Sequence, residues 1–125
     1  MYSLIEISDD EFSAMIAKAM KELPAEHIEK VKNVAILWDD DPSPEQRVVA
    51  KLQANQTLFG LYQGVPLTQR MGRTNFPPDI ITIFRGPITR MASTVAEVQE
   101  QVKHTLWHEI AHYFGLNHTQ IHNLE

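Results

Sequence analysis

A chain of 125 residues with a formal net charge of −5 makes one domain with a modest core, and its scattered basic residues give no electrostatic footprint for nucleic acid. It contains no cysteine, which excludes disulfide scaffolds, cysteine-ligated zinc clusters and thiol nucleophiles and fits a reducing compartment. The opening residues MYSLIEISDDEF have neither a basic start nor an apolar run of signal-peptide length, and no stretch approaches the ~18 apolar residues of a membrane span; a cytoplasmic protein with no membrane partner is expected.

In chain order, Ser8 and Glu11 read as a capping box. Phe12, Met15, Ile16, Ala19, Met20 and Leu23 follow at helical spacing until Pro24 stops the run. This predicts an amphipathic first helix whose methionines serve the core. Asn33 to Trp38 reads as a strand buried on both faces. Asp39, Asp40 and Asp41, followed by Pro42, Ser43 and Pro44, lack the glycine and distal glutamate of a calcium loop and read as a solvated turn. Residues 47 to 53 form either a short helix or irregular structure.

Leu58 to Tyr62 reads as a second strand, with a turn at Gln63 and Gly64 that suggests a hairpin or bent edge. Residues 67 to 78 are polar, contain Gly72 and end in two prolines, so an exposed loop of the kind that borders active sites is expected. Asp79 to Arg85 is the clearest strand, closed by Gly86 and Pro87, with residues 88 to 92 as a link. Thr94 and Glu97 then cap a helix whose Val95, Val98, Val102, Leu106 and Ile110 recur along one stripe. The expected fold is α+β in a single domain over residues 1–125: a small mixed sheet packed against an N-terminal helix and a C-terminal motif helix. An exposed sheet edge could hold an extended peptide by strand addition.

The last helix carries the chemistry. In HEIAHYFGLNH, residues 108 to 118, His108 and His112 stand four apart and can offer two imidazoles to one tetrahedral ion. Glu109 sits about 100° round the helix from His108, where it can reach a metal-bound water as general base. Gly115 can end the helix in the left-handed conformation, letting His118 approach the same ion from outside and leaving a fourth position open. Chance would have to align five fixed positions to give this pattern. His104, Gln101, His108 and His112 share one side of the helix, opposite the apolar stripe. His104 is either a support for the site or an ordinary exposed histidine, His122 belongs to the tail, and His27 lies in a charged segment. Tyr62, Tyr113, Arg70 and Arg73 could stabilise an oxyanion, although structural roles suit each.

His108, Glu109, His112, Gly115 and His118 resemble the extended zinc signature of the metzincin peptidases, which implies that the three histidines bind Zn²⁺ and that Glu109 is the base. The methionine turn of that group is absent, because none of the seven residues after His118 is methionine. Over a wider span, NVAILW, LFGLYQGVPLTQR, DIITIFRGPI and VKHTLWHEIAHYFGLNH look like the minimal zincin-like metallopeptidases, a small bacterial family. That resemblance implies a compact α+β domain ending just after the zinc motif. Its members often carry a carboxylate where this chain has His118, and Asn117 and His122 are the neighbouring donors.

The implied function is a zinc-dependent metallopeptidase acting on a peptide or protein substrate. A zinc-dependent endoribonuclease is the alternative, but the bacterial endoribonucleases with similar histidine spacing carry glycine where this chain has Glu109, and the acidic balance opposes RNA. A non-catalytic zinc-binding module is the third reading. So short a chain has little material for a deep specificity pocket, so an additional protein partner is an expectation.

Overall fold

Ser8 starts the first helix in the way its sequence dictates. Its hydroxyl accepts from the Glu11 N–H at 3.1 Å while the Glu11 carboxylate accepts from the Ser8 N–H at 3.2 Å, so two donors at the helix end find partners. The computed structural model describes residues 5–28, 31, 33–51, 58–65 and 78–115, and in it this helix, α1, runs over Asp9–Glu22. Phe12, Met15, Ile16 and Ala19 form its buried stripe, so the methionine-bearing face is core as the spacing predicts. A single turn, α2 (Ala25–Ile28), follows Pro24.

Among the described residues three strands make a mixed sheet in the order β1-β3-β2. β1 (Val34–Asp39) lies parallel to the central strand β3 (Asp79–Phe84), and β2 (Gly60–Gln63) lies antiparallel to it. Because side chains alternate along a strand, the register places Ile36, Ile81 and Tyr62 in one row and Trp38, Ile83 and Gly60 in the next. This face meets the helices. Ile81 and Ile83 join Phe12, Ile16 and Ala19 of α1 and Val98, Val102, Leu106 and Ile110 of the last helix, α5 (Val95–Tyr113), in one core. Among the described residues, no helix is long and apolar enough to cross a membrane.

Several expectations are corrected. β1 is half-buried rather than enclosed on both faces: among the described residues it has one strand neighbour, and Leu37 on its outer face is 52 % exposed. Of the two readings left open for residues 47 to 53, the helix is present as α3 (Pro44–Val49), which starts earlier because Ser43 and Gln46 form a reciprocal capping box with Pro44 in the first turn. Residues 88 to 92 are not a link, since α4 (Arg85–Met91) continues directly from β3. Proline is tolerated in a first turn, and Gly86 is needed because a Cβ there would lie 2.6 Å from the Asp40 carbonyl oxygen. At α5 the Thr94 hydroxyl caps Glu97 as expected, but the Glu97 carboxylate accepts from the Ser93 N–H at 2.6 Å, and Val95 is exposed. The loop expected at residues 67 to 78 lies outside the described residues except for Pro78.

Arg85 joins these parts. Its guanidinium donates to the Ile7 carbonyl at 3.0 Å, to Asp9 at 2.8 Å and to Asp40 at 2.8 Å, and it lies 4.5 Å from the centre of the Trp38 ring. The start of α1, the end of β1 and the β3–α4 junction are thereby pinned together.

Candidate metal centre

The side of α5 opposite the core stripe carries the motif. The imidazoles of His108 and His112 stand 4.8 Å apart between ring centres, as a four-residue spacing on a helix requires. With the Glu109 carboxylate they form a group whose potential ligand atoms all lie within 4.8 Å of one another. Both histidines are half-buried and Glu109 is buried. Two nitrogen donors next to a carboxylate suit a borderline-soft dication such as zinc. Gly115 has φ of 78°, so the helix ends in the left-handed conformation that its position predicts. His118, Asn117, His122, Arg70 and Arg73 lie outside the described residues.

The environment of Glu109 comes from β2. Burial pushes its carboxyl up from 4.5 to about 7, because taking the charged form out of water is costly; a hydrogen bond from the Tyr62 backbone offsets part of this. The strand reaches so close because residue 60 is glycine. A Cβ there would stand 2.6 Å from the Thr105 methyl and 3.4 Å from Glu109 Cγ. Thr105, one turn before Glu109, is itself buried and accepts from the Gln101 amide at 2.9 Å.

Asp79 holds β2 in place from below. It is 1 % exposed, and its carboxylate accepts from the Tyr62 hydroxyl at 2.7 Å and from the Val65 N–H at 3.4 Å. Gly64 makes room for that carboxylate, since a Cβ at residue 64 would collide with it. The Tyr62 ring also meets Tyr113 edge-on, at 6.3 Å between centres. The hydroxyl of Tyr62 is therefore engaged with Asp79 and Tyr113 is buried, which favours their structural reading over an oxyanion role. His104 is exposed and lines the same hollow as His108 and Glu109. His27 is not simply on the surface: its ring is half-buried and lies 5.8 Å from that of Phe114.

Sequence reasoning missed Gly60, Asp79 and the Tyr62 backbone as parts of this site. Asp79 did leave a signal, an acidic residue at the head of an otherwise apolar strand. Gly60 left little, because its partner Thr105 is 45 positions away in the chain.

The zincin-like metallopeptidase family model matches residues 31–125. The chain belongs to this family. In this zincin-like chain the match takes in β1 to α5 and leaves α1 and α2 ahead of it. The fold is similar to that of a conserved hypothetical protein from T. thermophilus, with a TM-score of 0.56 and 16 % identity, covering 86 % of this chain and 94 % of that one. That likeness concerns fold alone. No curated protein matches the chain.

Proposed function

We propose that this protein is a zinc-dependent metallopeptidase in which His108, His112 and His118 hold the ion and Glu109 is the general base. The observation that carries this reading is geometric: the buried Glu109 carboxylate stands beside the His108–His112 pair, with the potential ligand atoms of all three within 4.8 Å of one another. Family membership supports it. When bound, zinc would supply a Lewis acid that polarises a substrate carbonyl and acidifies a water molecule. Glu109 would serve as the general base, accepting a proton from the attacking water at its carboxylate and passing it to the leaving amine. The Tyr62 N–H holds the carboxylate in position for both transfers.

Elemental analysis of untagged protein tests the ligand set. About one zinc per chain is expected in the wild type, with loss in each of His108→Ala, His112→Ala and His118→Ala. Glu109→Gln should retain zinc and lose hydrolysis in a peptide-substrate screen. Hydrolysis that survives Glu109→Gln would remove the base from this reading, and zinc indifferent to His118→Ala would remove the third ligand.

A further inference from the structure

α5 is hollowed on its motif side well beyond the metal centre. A cavity of about 370 Å³ opens over His108 and Glu109, between α5 and Gly60. A second, of about 540 Å³, lies between α4 and the first turns of α5. Gln101 and His104 wall both, so the two hollows lie side by side along α5.

The second hollow has an apolar floor and an acidic rim. Ile88 and Ala92 are buried beneath it, Met91 stands 68 % exposed at its side, and the small side chain of Ala96 leaves it open. Glu97 and Glu100 line it, and neither cavity has a lysine or arginine in its described lining. Glu97 is held by its bond to the Ser93 N–H, while Glu100 is exposed. Such a surface favours an apolar side chain next to a cation. Distance also fits a chain running on from the metal centre: the eight residues from Glu100 to His108 span ~12 Å of helix, which an extended peptide covers in about four residues.

We propose that the adjoining hollows form an extended substrate groove selecting a peptide with an apolar side chain about four residues from the scissile bond and a lysine or arginine beside it. The apolar group rests on Ile88, Met91 and Ala92, and the cation meets Glu97 and Glu100. The location of the cut rests on the peptidase reading above, whereas the binding preference does not.

The test uses the full chain carrying Glu109→Gln, loaded with zinc, so that bound peptides are not consumed. The probes are fluorescein-labelled Gly/Ser peptides containing a Leu-Arg, Leu-Glu or Ser-Arg pair, with affinity read by fluorescence anisotropy. The Leu-Arg peptide should bind at least about tenfold tighter than either control, and less tightly as salt is raised. Glu100→Arg should turn the preference toward Leu-Glu, and Ala96→Trp should abolish the advantage of leucine. Both positions are exposed, and circular dichroism checks that the variants fold. Equal binding of the three peptides, or a preference that ignores both substitutions, overturns the groove. Parallel digestion by the wild type separates the two readings. Preferential binding without cleavage leaves the groove and sinks the peptidase; cleavage of all three peptides alike leaves the peptidase and sinks the groove.

Discussion

Glu109 is a carboxyl group kept where its charge is poorly solvated. In the metal-free protein, its rise from 4.5 to about 7 means that it holds its proton more tightly folded than unfolded. The associated stability is fully present below about pH 4.5 and is lost as pH climbs through about 7, a difference of about 2 to 3 kcal/mol between pH 5 and pH 8. Urea denaturation of chelator-treated protein should show the wild type losing that amount over this interval, with Glu109→Gln removing most of the slope. A slope unchanged by the substitution would place its origin in other groups. Gly60 gives a second prediction at this scale. Gly60→Ala sets a Cβ against the Thr105 methyl and should cost about 1 to 3 kcal/mol, read as a lower urea midpoint. Adding Thr105→Ser, which deletes that methyl, should restore part of the loss; a strictly additive double mutant would argue against the clash.

At the scale of elements, α5 is two-sided. Leu106 is fully buried on the core side, while His108 lines the hollow and His112 stands half-buried beside it. Leu106→Ala should therefore cost about 2 to 5 kcal/mol of folding stability with zinc stoichiometry unchanged below the melting transition. Such a helix is easily read from sequence, because the 3.6-residue repeat of Val98, Val102, Leu106 and Ile110 and the four-residue spacing of the histidines are local facts. α4 was harder to read. Gly86 and Pro87 look like a stop, and only the nearby Asp40 carbonyl reveals why glycine stands there. α3 did carry its signal in Ser43, Pro44 and Gln46. The exposure of β1 could not be read from its apolar composition, because burial depends on strand order and on which face the helices cover. The same holds for the site: the His and Glu positions announce themselves, whereas Gly60, Tyr62 and Asp79 matter through contacts between distant parts of the chain.

For the whole molecule, the family pattern and the folding unit have different limits. The match begins at Val31, yet Phe12, Met15, Ile16 and Ala19 of α1 belong to the same core as Val98, Val102 and Leu106. A polypeptide beginning at Val31 would present that stripe of α5 to water. It should lack the cooperative thermal transition of the full chain when followed by circular dichroism; a sharp transition at a similar temperature would show that α1 is dispensable.

The parallel pairing of β1 with β3 also sets an order in time. Val34 meets Asp79 and Arg85 meets Asp9 across 45 and 76 positions of chain, respectively, and contacts of such separation are slow to form because a long loop must close first. The histidine pair needs only a formed helix. The dry setting of Glu109 needs β2 seated on β3 and pressed against α5. A nascent chain can therefore display its two imidazoles before the Glu109 carboxyl beside them is shielded from water; on the peptidase reading proposed above, hydrolysis would wait until the sheet is assembled.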